Sequence, residues 1–443
     1  MIATIRVNRA LLGLALILGL HLAAQPTAHA STLIVGTCQS GTRFSTIQAA
    51  VNAASSAGPT VINVCPGSYY EQVTITKNKL TLAGVPAGTS DFAAVYPPKS
   101  GLVVNGADIF GNGVAAQIFV KGVSGVIIKN LTVDGIGNDV ATCVPYTMEG
   151  IYLQNASGTI EYDVVRNQYQ TDFARDGSCQ NGLAINVESL TDANTVIIAH
   201  NSVRAYQKNG ITATGAATGV GLAGPVVQIE NNYIVGLAAT GMNWKTPGAA
   251  ENGIQVGFGA IGEITENTIN DNIWGPDTIN DTADAASGII IYSSSNFTVT
   301  HNNVNSAQYG ILTVSDIGGY GSADHTLIAN NSITGTQIFD AVDLCSSSNT
   351  VQLNAIAGSA ESAIHLDDTC GGTGNNNTVS QNTIVEGCAG VLLGTGTGNV
   401  VKSNNSYSSV NYTTLGGDTC NGPLAATSQN SRRPRPSPYM PMR

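Results

Sequence analysis

The feature that most constrains this chain is a phrase it repeats: Val or Ile, two residues, Asn, one residue, Val or Ile. It fits Ile75-Asn78-Leu80, Ile198-Asn201-Val203, Ile229-Asn232-Ile234 and Ile264-Asn267-Ile269. It continues through Val299-Asn302-Val304, Ile328-Asn331-Ile333, Val351-Asn354-Ile356 and Val379-Asn382-Ile384. Degenerate copies are Ile128-Leu131-Val133 and Ile160-Asp163-Val165, and Val401-Asn404-Ser406 is a fading one. From Asn201 onward the Asn residues are spaced by 31, 35, 35, 29, 23 and 28 residues. A variable period with a floor describes a minimal coil of fixed length with loops inserted at its corners. Such a chain stacks parallel strands about 4.8 Å apart, so about eleven coils make a rod roughly 50 Å long.

Asn suits the corner because it tolerates a left-handed backbone and offers both a donor and an acceptor. Asn201, Asn232, Asn267, Asn302, Asn331, Asn354 and Asn382 are therefore predicted to form a structural ladder. The residue before each Asn varies widely (His200, Asn231, Glu266, His301, Asn330), so that column reads as scaffold. A second signature links most copies: Gly or Ala, then alternating apolar residues, as in Gly150-Ile-Tyr-Leu, Gly182-Leu-Ala-Ile, Gly310-Ile-Leu and Ala363-Ile-His-Leu. Composition agrees with an all-β chain. Gly numbers 51, only 11% of residues are charged, and β-branched and turn residues dominate.

The 443 residues divide into three expected parts. Residues 1–30 read as a secretory signal peptide: basic Arg6 and Arg9, an apolar run from Ala10 to Ala24, and small residues at Ala28 and Ala30. Residues 31–421 are the repeat domain, with one helix expected at about 44–54, capped by Ser45. Residues 422–443, which include Arg432-Arg-Pro-Arg-Pro, read as a disordered basic tail. No other run reaches membrane length, so no membrane insertion is expected after signal removal. Loss of Arg6 and Arg9 takes the formal charge from −11 to −13, which argues against a nucleic-acid partner. Eight cysteines in an exported chain point to disulfides. Neighbour pairing would join Cys38 to Cys65, Cys143 to Cys179, Cys345 to Cys370 and Cys388 to Cys420.

The order helix, strand, Pro66-Gly67 turn, Tyr69-Tyr70-Glu71 and strand resembles the N-terminal part of pectin esterases. With the repeats, the chain resembles the pectin-lyase-like superfamily, which includes pectate lyases and polygalacturonases. The resemblance implies a single-stranded right-handed parallel β-helix with an N-terminal capping helix. A helix there would cover the open core of the first coil.

The resemblance also implies that chemistry sits on the outward face of a strand. In the Gly-Ile-x-Leu signature the x residues are Tyr152, Ala184, Thr212, Gln255, Ile290, Leu312, Asp343, His365 and Leu392. Asp343 and His365 should stack on adjacent coils, with Asp367 and Asp368 beside them, near the expected Cys345–Cys370 bridge. Carboxylates with a His suit acid–base work on a glycosidic bond, and three carboxylates suit Ca²⁺. The Asp367-Asp368 pair resembles polygalacturonases, although Gly-His-Gly, Arg-Ile-Lys and Asn-Thr-Asp are absent. An alternative cluster is Asp134, Arg166 and Arg204, three residues past the Asn position on successive copies. Superfamily lyases use Arg or Lys as the base, and Glu149, Asp172, Asp176 and Lys208 lie nearby in sequence. Each cluster also reads as ordinary surface ion pairing. Trp244 and Trp274, with Tyr152, are candidate sugar-stacking residues. The expectation is a secreted or periplasmic monomer that binds and cleaves a polysaccharide. The alternative is a non-catalytic adhesin or glycan-binding rod. No metal or cofactor is assigned beyond the Ca²⁺ option.

Overall fold

The computed structural model describes residues 30–56, 58–86, 93–140, 146–170, 181–216, 223–237, 251–273, 286–315, 321–335, 339–368, 370, 373–403 and 405–417. The signal segment, the basic tail, Asn404, Cys143, Cys179, Cys420, Trp244 and Trp274 lie outside these residues.

One coil shows how the sequence folds. Thr298–Thr300, Asn303–Ala307 and Tyr309–Val314 are three short strands. Each pairs in parallel with its equivalents one coil before and one coil after. Repetition of this unit makes three ladders. The first is a 14-stranded sheet. The second and third run together as a 22-stranded sheet, because Ala355–Leu366, Thr383–Leu393 and Ser406–Gly416 pass through both without a break. Val299, Val304 and Ile311, one from each ladder, belong to a single buried core. The protein is a parallel β-helix.

The Asn residues form the predicted ladder. The Oδ1 of each Asn accepts the backbone N–H of the preceding rung, from Asn201 to Asn232, Asn267, Asn302, Asn331, Asn354 and Asn382. Asp163 takes the rung before Asn201, and its Oδ1 accepts from Leu131 N–H at 2.7 Å. The residue before each rung from Asp163 to Asn382 has positive φ, 57° at His301 for example. Two details differ from expectation. The last rung is Asn405, one residue past the expected Asn404. Asn78 belongs to another corner: it precedes the first-ladder strand Leu80–Gly84 and accepts from Ser124 N–H. A second ladder, Asn349, Asn377 and Asn399, supports the corner before the first-ladder strands.

The second signature marks the corner between the second and third ladders. A Cβ at Gly288 would lie 2.4 Å from Val304 Cγ1, and one at Gly310 would lie 2.6 Å from Ile333 Cγ2. The corner turns its small residue into the core. The residue before it, like the x residue, then points outward.

The helix is Ile47–Ala53, and its cap is Thr46, not Ser45: Thr46 Oγ1 accepts from Ala49 N–H. Glu71 explains the Tyr69-Tyr70-Glu71 phrase. Its carboxylate accepts from Ile47 N–H at 2.8 Å and Gln48 N–H at 2.9 Å, two donors a helix start leaves open. Gln48 in turn bridges to the backbone of Thr74. Glu71→Ala is expected to cost about 1–2 kcal/mol, as loss of a strong cap does. Urea unfolding and faster amide exchange at Ile47 and Gln48 would show it; unchanged exchange there would refute the role. Cys38–Cys65 and Cys345–Cys370 are disulfides, as neighbour pairing predicts, and Cys388 is disulfide-bonded.

Candidate functional site

The outward face of the third ladder carries the expected column with one substitution. Strand register places Tyr152, Asn186, Thr212, Gln255, Ile290, Leu312, Asp343, His365 and Leu392 in line. Ala184 is not a member; it aligns with Gly150 at the corner and packs in the core. The Gly of Gly182-Leu-Ala-Ile stands two residues too early to mark the corner. The whole column is buried.

At its C-terminal end three carboxyl groups converge on one imidazole. His365 Nδ1 lies 3.2 Å from Asp340 Oδ2, 3.6 Å from Asp367 Oδ2 and 3.8 Å from Asp343 Oδ1. Asp343 pairs in register with His365, and Asp367 N–H bonds to Leu344 O on the coil before. Asp340 was not among the expected residues. It precedes Ala341 at the corner, and its Oδ1 accepts from Ser362 N–H at 3.0 Å and from the Ser362 hydroxyl. The signal was present in sequence: Glu149, Asn209, Asn252, Ser287, Asp340 and Ser362 all stand immediately before a corner Gly or Ala. Asp368 turns aside to the Thr395 backbone N–H and hydroxyl. Burial works to raise its carboxyl, but those two donors hold it below its ordinary value. The Cys345–Cys370 bridge adjoins the cluster, so those sulfurs are not free thiolates for a metal. Asp340, Asp343 and His365 offer atoms within 4.8 Å of one another. The central imidazole nitrogen does not fit Ca²⁺, which takes oxygen ligands.

On the N-terminal side of this cluster the same face is apolar. Ile290, Tyr292, Leu312 and Val314 pack with Phe258, and Tyr309 stacks on Phe339 at 4.8 Å. The alternative cluster lies on the second ladder. Asp134, Arg166 and Arg204 stack in register. Arg166 Nε donates to Asp134 Oδ2 at 2.7 Å, and Asn167 Nδ2 donates to its Oδ1. Arg204 is exposed one coil on. Lys208 and Glu149 are buried. Tyr152 is fully buried, and its hydroxyl donates to Glu188 Oε2 at 2.6 Å.

No protein-family model matches the sequence, and no curated protein does. Solved structures similar in fold include the A-module of a mannuronan C-5 epimerase from Azotobacter vinelandii. It shares 15% identity at a TM-score of 0.50, over 83% of this chain and 92% of that one. The Dettilon tailspike protein shares 15% identity at 0.54, over 81% of this chain and 63% of its own. The GH136 lacto-N-biosidase of Eubacterium ramulus shares 11% at 0.57, over 86% and 68%. The likeness is one of fold, the parallel β-helix.

Proposed function

We propose that this chain is an exported protein that binds an extracellular or cell-wall polysaccharide and cleaves it by lyase or glycoside hydrolase chemistry. The observation that carries the reading is the convergence of Asp340, Asp343 and Asp367 on His365. Three carboxyls and an imidazole can hold, give and take protons, which glycosidic cleavage requires. Phe339, partly buried and stacked on Tyr309 directly before Asp340, is the aromatic placed for sugar-ring contact next to that cluster. Two of the similar folds, an epimerase acting on mannuronan and a lacto-N-biosidase, are named for carbohydrate chemistry. The disulfides suit an oxidising compartment.

The burial of the same four side chains, none more than 4% exposed, favours a second reading: a non-catalytic glycan-binding rod. A screen for reducing sugars and unsaturated uronates over a polysaccharide panel, with and without Ca²⁺, separates the two. Cleavage by the wild type that disappears in folded Asp343→Asn and Asp367→Asn supports the catalytic reading. Cleavage that survives both removes the cluster from the mechanism. Retention on a glycan column without products leaves the binding rod. Neither products nor retention defeats both.

A further inference from the structure

A second polar cluster lies near the N-terminal end of the same face, and it does not depend on the function proposed above. Residues Gly106–Ala107 pair antiparallel with Gly113–Val114 and fold back over the third ladder. Gln154 Nε2 donates to Ala107 O, and Ile109 N–H donates to Glu188 Oε2 at 3.2 Å. Beneath this segment sit Glu149, Tyr152, Asn186 and Glu188, each at most 2% exposed. Asn186 Nδ2 bridges the two glutamates, 3.1 Å from Glu149 Oε1 and 3.3 Å from Glu188 Oε1. Asp108 stands close by, its carboxylate occupied by Phe110 N–H and by the backbone and side-chain amides of Asn112.

Two atoms of this cluster have no hydrogen-bond partner: Glu149 Oε2 and Asn186 Oδ1. They belong to groups bonded to each other, so they mark one locus. Among the described residues no Lys, Arg or His bonds to Glu149, Glu188 or Asp108. Lys121 is the near cation, and its ammonium lies over the Phe119 ring. Buried carboxylates without a cationic partner are rare because their desolvation is uncompensated. A proton on Glu149 would leave the buried Glu188 carboxylate without a counter-charge, whereas a divalent cation would offset both carboxylates.

We infer that Glu149, Asn186 and Glu188 form a binding site for a hard divalent cation of the Ca²⁺ or Mg²⁺ class. The donors are all oxygen, as such ions require. Burial and the neighbouring Glu188 push the Glu149 carboxyl well above its ordinary value, and burial also raises Glu188.

Elemental analysis of the purified protein tests the inference, together with thermal melts after chelation in Ca²⁺, Mg²⁺ or neither. One ion per chain is expected, with a melt that rises on adding it. Folded Glu149→Gln and Glu188→Gln should lose the shift, and Asp343→Asn should keep it. Tb³⁺ luminescence sensitised through tyrosine should drop in Tyr152→Phe. The arm that gives the larger shift identifies the ion. A wild type without bound metal and without a shift in either arm overturns the inference. So does a shift retained in both glutamine variants, or one lost in Asp343→Asn alone.

Discussion

Asn302→Ala is expected to lower stability by about 3–6 kcal/mol, on the scale of about 1–3 kcal/mol for each buried polar group left unpaired. The Asn302 carboxamide serves three coils. Its Oδ1 accepts from the backbone N–H and the Nδ2 of Asn267, both at 3.0 Å. Its Nδ2 is within bonding distance of Ile264 O, Thr300 O and Asn331 Oδ1. Alanine takes the acceptor from the Asn267 backbone N–H in a site that is 1% exposed, and leaves Asn267 Nδ2 only Ile229 O and Thr265 O. Stability in a stacked array is nearly a sum over neighbours, so the loss should be local. Amide protection should fall first in the coils on either side of residue 302. Asn303→Ala is the control: Asn303 is exposed, and its change should stay within about 0.5 kcal/mol. Equal urea midpoints for the two variants would sink the ladder as a source of stability.

This ladder was legible because each rung repeats one physical need, a side chain that accepts from the rung before and donates onward at a left-handed corner. Where the sequence offers two candidates the reading slips. Asn404-Asn405 presents adjacent amides, and the rung is Asn405. The second ladder was hidden because Asn349-Thr350, Asn377-Thr378 and Asn399-Val400 stand outside the repeated phrase, directly before first-ladder strands. The helix was legible from its apolar spacing. Its cap was misplaced by one residue between two adjacent hydroxyls, Ser45 and Thr46.

The candidate site was legible only along the strand. Asp343 and His365 follow from alternation and register. Asp340 does not, because the corner turns both Ala341 and Val342 into the core and so breaks the alternation. Ala184 fails for the related reason that Gly182 imitates the corner Gly. Burial of the outward face was illegible. Alternation says which way a side chain points, but not what lies over it. Leu312 and Asp343 look alike in that respect, yet both are closed from solvent.

Asp163→Asn should stabilise the protein at neutral pH by about 1–3 kcal/mol, the scale of one buried polar group given the partner it lacks. Every later rung uses its Nδ2 to reach a first-ladder carbonyl on the coil before: Asn201 to Ile160 O, Asn232 to Ile198 O, Asn267 to Ile229 O. Register makes Ile128 the counterpart for residue 163. Asp163 has no amide to send there, and its Oδ2 is buried without a partner. Burial drives its carboxyl well above the ordinary range; the Leu131 N–H opposes this, and Glu161 adds to it. The unfolded carboxyl titrates near about 3.9. Below that pH the group is protonated in both states and has no ionisation cost. As pH rises from there toward the folded value, only the unfolded chain ionises, and stability falls. Asparagine removes that slope and supplies the missing donor. The gain in urea midpoint should therefore be large at pH 7 and shrink toward pH 4. A gain independent of pH would leave only the added hydrogen bond. A loss at pH 7 would mean that the carboxylate is held by something other than the ladder.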